Sequence, residues 1–211
     1  MNKSQKKSQL SKHRISNIFI ISGLALIFIT VSIKLYSTYE KNKLIKNYEA
    51  FQSISYESNS NTVSNDDINF SGEDISDSNK SENILGIINI PKIDLKAPIG
   101  KGTDKETLKY SVGHFDKTSM PGEIGNCCII GHRSYTYGEF FNRLDEINID
   151  DVIVIDRNSN KYTYKVIEKF VVNPEDTYVL DDSKDYQLTL ITCTPIRVGT
   201  HRLIIRAILE N

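Results

Sequence analysis

The chain has 211 residues, 26 of them Lys or Arg and 27 Asp or Glu, for a formal net charge of -1. That balance excludes the net positive footprint of a nucleic-acid binder, so no nucleic-acid partner is expected. Hydrophobic residues make up 39%, enough for one domain with appendages, and three Cys, an odd number, exclude a disulfide framework.

Residues 1–14 carry Lys3, Lys6, Lys7, Lys12 and Arg14 and no acid. Residues 15–33, ISNIFIISGLALIFITVSI, carry no charge. As a helix rising ~1.5 Å per residue this run spans about 28 Å, close to a bilayer's hydrocarbon core. A cleavable signal peptide would have a shorter apolar region, about 7–15 residues, before a small-residue cleavage site. No A-x-A pattern follows Thr30. The expectation is a basic cytoplasmic tail at 1–14 and a transmembrane anchor at 15–36. Five Lys/Arg precede the span and Lys34, Lys41, Lys43 and Lys46 follow it. The margin of five to four leans only slightly toward an N-terminus inside.

Residues 37–82 read as a juxtamembrane segment and a linker. Leu35, Tyr39, Leu44, Ile45, Tyr48 and Phe51 recur at helical spacings, so the anchor helix runs on for several turns. Ser, Asn, Asp and Glu then dominate 52–82, and the expectation there is a disordered spacer. A lid with Phe70 as its plug is the competing reading. The folded domain starts near Asn83 and covers 83–211.

ILGIINI at 84–90 reads as a buried strand stopped by Pro91. A short extended piece follows at 94–99. Residues 104–111 read as a short helix with Asp104 near its start. NCCIIG at 126–131 is a strand, and 137–147, with Phe140, Phe141 and Leu144, a short helix. Strands follow at 151–155 and 161–172. Residues 173–185 are a loop with one helical turn, and strands at 187–193 and 201–209 complete the domain. Seven or eight strands with only short helices indicate an all-β or β-rich barrel.

Cys193 ends a strand and precedes Thr194-Pro195, which must turn. Its side chain is therefore expected at a strand mouth. Cys127 and Cys128 lie mid-strand, where a free Cys is usually a small buried hydrophobe. A Cys nucleophile needs a proton acceptor and a cationic or dipolar neighbour. His132, just after a strand and behind Gly131, can supply the first, with His114 and His201 as competitors. Arg202 can supply the second. Arg206 shares its strand face, but an antiparallel partner would bring Arg202, not Arg206, level with Cys193. His201 points to the opposite face from Arg202, and Arg133 reads as structural. No C-x-x-C or H-x-x-x-H spacing occurs, so neither metal nor other cofactor is expected.

TLITCTP at 189–195, a downstream Arg in HRLIIRA, and an upstream PGEIGNCCIIGHR resemble the sortases, membrane-anchored cysteine transpeptidases of Gram-positive bacteria. The resemblance covers 83–211, and the anchor-linker arrangement agrees with it. It implies a closed eight-stranded β-barrel with short helices. It implies that Cys193 attacks the Thr carbonyl of an LPxTG-like sorting motif, that His132 is the acid/base, and that Arg202 stabilises the oxyanion or orients substrate. Thr192 adds a hydrogen bond to substrate. The implied partners are sorting-signal peptides of surface proteins, a lipid II-type cell-wall amine acceptor, and the membrane through the N-terminal helix. With no Pro in 52–82 and a short 173–186, the chain resembles class D best, with classes A and E as alternatives. Tyr178, Val179 and Leu180 form an apolar set in an acidic loop leading into the Cys strand, and are expected to wall the peptide groove, with Val179 and Leu180 as a cap on the barrel core the competing reading. Two other readings stand beside the transpeptidase: a surface cysteine protease that uses water in place of the amine, and a catalytically silent β-barrel that binds peptides.

Overall fold

The structure, a computed structural model, describes residues 3–60, 83–133 and 140–210, and the side chains of 17–53 within the first of these. The reading of Phe70 as a plug, and the spacer over 61–82, lie outside the described residues. The chain forms two units, Met1–Glu40 and Lys41–Asn211. The first is helical over its described residues, which belong to α1 (Lys3–Ser60). Its apolar stretch has a mean hydropathy of 2.4, and by length and composition it is able to cross a membrane.

In the second unit eight strands close a barrel. They are β1 (Ile84–Ile90), β2 (Leu95–Lys101), β3 (Val112–His114), β4 (Gly125–Ile130), β5 (Val152–Arg157), β6 (Asn160–Val172), β7 (Tyr186–Thr194) and β8 (His201–Leu209). Their order around the barrel is β1-β2-β3-β4-β7-β8-β6-β5. β4 and β7 run parallel, and β7 and β8 antiparallel. Because side chains alternate across a strand, Ile129 of β4, Leu188 and Leu190 of β7 and Leu203 and Ile205 of β8 enter the barrel core. Cys193, Arg202 and their even-spaced neighbours are left on the outside.

β1 is apolar on both faces, and a strand of that kind needs cover on both sides. Ile88 and Ile90 enter the barrel core. Ile84 and Ile87 are covered by Leu44, Ile45 and Tyr48 of α1. The Tyr48 hydroxyl donates to the Leu85 carbonyl and accepts the Asn158 amide, both at 3.3 Å. Glu49 pairs with Lys96 at 2.8 Å, and the Gln52 carbonyl accepts from Ser159. The barrel's packed surface thus begins well before Asn83. Residues 52–60, expected to be unstructured, continue the helix. The polar composition of that stretch conceals that the apolar residues just before it have a partner in β1.

The helix expected at 104–111 is α2 (Thr107–Tyr110). Asp104 precedes it and accepts the amides of Glu106 and Thr107. β3 was not expected, since three residues are too few to show a period. Of the helix expected at 137–147, residues 137–139 lie outside the described residues. The rest is a turn and one 3-10 turn, Leu144–Glu146. Phe140 has φ 46°, outside helical space. Phe141, Leu144 and Ile147 recur every three residues and are all fully buried, so apolar spacing there serves a folded loop.

Candidate active site

Cys193 sits one residue from the end of β7 and pairs directly with Arg202 at the start of β8. Directly opposed residues share a face, with Cβ atoms about 5 Å apart. Arg206 is opposite Thr189 instead, four residues farther down. Cys193 is half-buried. The Arg202 guanidinium donates to the carbonyls of Gly199, at 3.1 Å, and His201, at 3.0 Å. His201 pairs with Thr194, and its ring lies against the Thr200 hydroxyl at 2.9 Å.

β4 delivers His132 to the same place. The parallel register sets Ile130 beside Ile191, and the Gly131 amide donates to the Ile191 carbonyl at 3.1 Å. Two residues beyond that pair lie His132 and Cys193. His132 is exposed, and its carbonyl accepts the Phe141 amide. A side chain at Gly131 would run into the Phe141 ring, so glycine is what lets the chain turn closely over that buried aromatic. A half-buried thiol and a guanidinium thus share one face at the end of the sheet, and the register brings an exposed histidine to the same end. They are the parts that nucleophilic acyl transfer requires.

The competitors of these residues are engaged elsewhere. His114 is buried, and its Nε2 lies 2.9 Å from the Ser119 carbonyl and 3.2 Å from the Thr118 hydroxyl. Cys127 is inside the barrel and Cys128 lies under Val179. Burial raises both thiols, and pushes Cys128 up to about 12. Among the described residues no cluster of His, Cys, Asp and Glu could hold a metal.

Two of the expected substrate contacts, Thr192 and Val179, require correction. Thr192 is fully buried, and its hydroxyl donates to the Gly131 carbonyl at 2.8 Å. It faces away from Cys193, as the alternation of the strand dictates. Val179 is buried with Val172, Ile191 and Ile204 in a small outer cluster, and Leu180 packs against it. Of the three loop residues, Tyr178 presents its side chain to solvent. The 3-10 turn Thr177–Leu180 that carries them is pinned by buried Asn126. The Asn126 amide donates to the carbonyls of Val179 and Asp181, and its oxygen accepts the Thr189 hydroxyl at 2.7 Å. Sequence reasoning missed Asn126. The available signal was a polar residue at the mouth of an otherwise apolar strand.

A family profile described as the sortase domain matches residues 88–210. The chain is 30% identical over 181 residues to Sortase A of Streptococcus agalactiae serotype III, covering 82% of this chain and 68% of that protein. It is 32% identical over 111 residues to Sortase D of Bacillus subtilis, over 52% of this chain and about half of that protein, 54%. Among solved structures, a Clostridium perfringens protein described as a Sortase D5 transpeptidase superposes with a TM-score of 0.57 at 33% identity. That match covers 68% of this chain and 91% of the other.

Proposed function

The chain belongs to the sortase family, and on that premise we propose that it is a cysteine transpeptidase acting on an LPxTG-like sorting motif. The observation that carries the reading is the cross-strand pair of Cys193 and Arg202 with His132 brought level beside them. The Cys193 thiol gives its proton to His132 as its sulfur attacks the Thr carbonyl carbon of the motif. Arg202 donates to the oxyanion, where one well-placed donor is worth about 10²–10³-fold in rate. His132 gives a proton to the departing Gly amine, and the C-terminal tail leaves a thioester on Cys193. A primary amine of a lipid II-type cell-wall precursor then loses a proton to His132 and attacks the thioester. The new amide leaves and the thiol returns.

The apolar stretch of α1 anchors the protein in the cell membrane, with the N-terminus cytoplasmic and the barrel outside, where surface proteins and wall precursors meet. The short β6–β7 segment argues against class B, and class D is preferred with classes A and E as alternatives. The test is to incubate the full chain, in detergent, with a panel of sorting peptides and amines and read the products by mass spectrometry. A thioester on Cys193 and an amide with the added amine are expected. Hydrolysed peptide only, with no amide from any amine, would make it a protease. No thioester at all would make it a binding barrel.

A further inference from the structure

We propose that Arg133 is a positioning residue for this chemistry, locking the His132 loop to the Cys193 strand end from the back of the sheet. The inference rests on the transpeptidase reading for its catalytic consequence but not for its geometry.

Arg133 is next to His132, yet the two side chains have opposite fates. His132 is exposed, whereas the Arg133 side chain is only 5% exposed. Its guanidinium is divided between two segments. Nη1 donates to the Thr194 hydroxyl at 2.9 Å and reaches the Cys193 carbonyl at 3.5 Å. Nη2 pairs with Asp145 at 2.7 Å, and Nε donates to the Asn142 carbonyl at 3.3 Å. A fixed planar fork can hold several acceptors at once, which a single ammonium cannot.

Thr192 makes the matching tie on the other side, from its hydroxyl to the Gly131 carbonyl. Each neighbour of Cys193 is therefore bound to a neighbour of His132: Thr192 to Gly131, and Thr194 to Arg133. Both ties lie on the face opposite the reacting groups, because side chains alternate along extended chain. They fix where the two backbones sit while leaving the thiol and the imidazole free. Arg133 does more than Thr192, since it also holds the turn at 142–145 that follows the His132 loop. Misplacing reacting groups by about 1 Å costs about 10²-fold in rate. The sequence offered only an Arg beside a His, and its partners are nine to sixty-one residues away.

The test uses the full chain in detergent with Arg133→Gln, Arg133→Lys, Thr194→Val and the double variant Arg133→Gln/Thr194→Val. Acyl-enzyme formation is followed at varied peptide concentration, with Tm and amide exchange measured in parallel. Arg133→Gln is expected to lower kcat by about 10²-fold with KM nearly unchanged. Arg133→Lys keeps a pairing charge for Asp145 but not the fork, so it retains Tm and does not restore kcat. Thr194→Val lowers kcat less, and the double variant is no worse than Arg133→Gln alone, as expected when two changes break one tie. Wild-type kcat in Arg133→Lys, additive losses, or a kcat loss that only follows the unfolded fraction would overturn the proposal. If the unaltered chain acylates with no motif peptide, the transpeptidase reading falls and exchange decides instead. Faster exchange at 193–199 in Arg133→Gln, with 84–90 unchanged, upholds the positioning role, and unchanged exchange ends it.

Discussion

The outer face of β4, β7 and β8 carries a cysteine and an arginine at each end, and the two ends are not alike. At the mouth, half-buried Cys193 faces Arg202, whose guanidinium is bound to two backbone carbonyls. At the far end, Arg206 is opposite Thr189, which neighbours Cys128 across the parallel register. There Arg206 stacks over Phe170 at 4.9 Å and pairs with Glu168 at 3.0 Å, and the Cys128 thiol is buried. The residue types are the same. What separates them is the cover supplied by neighbours: the turn at Thr177–Leu180 closes the far end, while among the described residues the strand mouth keeps Cys193 half-buried and His132 exposed.

The largest expected effect breaks the symmetry between the cysteines. Cys193→Ala should abolish acyl-enzyme formation, while Cys128→Ala and Cys127→Ala should keep turnover per folded molecule. At pH 8, iodoacetamide should label Cys193 and spare the other two until the protein is unfolded, because burial holds their thiols protonated far above that pH. An active Cys193→Ala chain would sink the assignment.

The arginines come next. Arg202→Ala is expected to lose about 10²–10³-fold in acylation rate, the scale of one oxyanion donor. His132→Ala should likewise lose most of the rate. Arg206→Ala should lower Tm through the lost ring and carboxylate contacts and leave the rate per folded molecule intact. Equal rate losses in Arg202→Ala and Arg206→Ala would mean that the far end takes part in the reaction.

Much of this contrast was legible in the sequence, because it depends on strand alternation. Counting along 187–193 and 201–209 puts Arg202, not Arg206, by Cys193, and the register pairs them so. The strand limits were readable for the same reason: 84–90 and 201–209 match β1 and β8 residue for residue. The features that escaped are contacts across long stretches of chain. Val179 looked like a groove wall because an apolar residue in an acidic loop has no period to reveal its partner, and its partners are Val172, Ile191 and Ile204. Thr192 was expected to contact substrate on the resemblance alone, although alternation along the strand would have turned it away from Cys193. The docking of Ile45 and Tyr48 on β1 was hidden by the polar stretch between them.

That docked segment is remote from both ends and so sharpens the comparison. A chain beginning at Lys41 should melt roughly 5 °C above one beginning at Ser81, since the cover of Ile84 and Ile87 is lost in the shorter form and each kcal/mol is worth about 2–4 °C at this size. Acylation per folded molecule should be the same in the two. A lower rate in the shorter chain at equal Tm would tie the segment to the site rather than to the barrel's stability.

The smallest effects lie between the two ends, in the turn that closes one and borders the other. Val179 touches Ile191, which is two residues from Cys193 on the same face, about 7 Å along the strand. The turn is therefore both a lid on the far end and a neighbour of the mouth, and its side chains should divide between those tasks. Val179→Ala removes two buried methyl groups, about 1.5 kcal/mol of burial, and should lower Tm by about 3–6 °C. Its turnover per folded molecule should hold, and Leu180→Ala should behave in the same way to a lesser degree. Tyr178, 50% exposed, has a smaller share of its surface buried than Val179. Tyr178→Ala should leave Tm unchanged and raise KM for the sorting peptide without changing kcat, as removal of a ground-state contact does. Measuring KM, kcat and Tm together on the three variants separates the tasks. If Tyr178→Ala leaves KM untouched while Val179→Ala raises it at constant Tm, the peptide is read by the buried side of the turn, and the far end of the sheet opens when substrate binds.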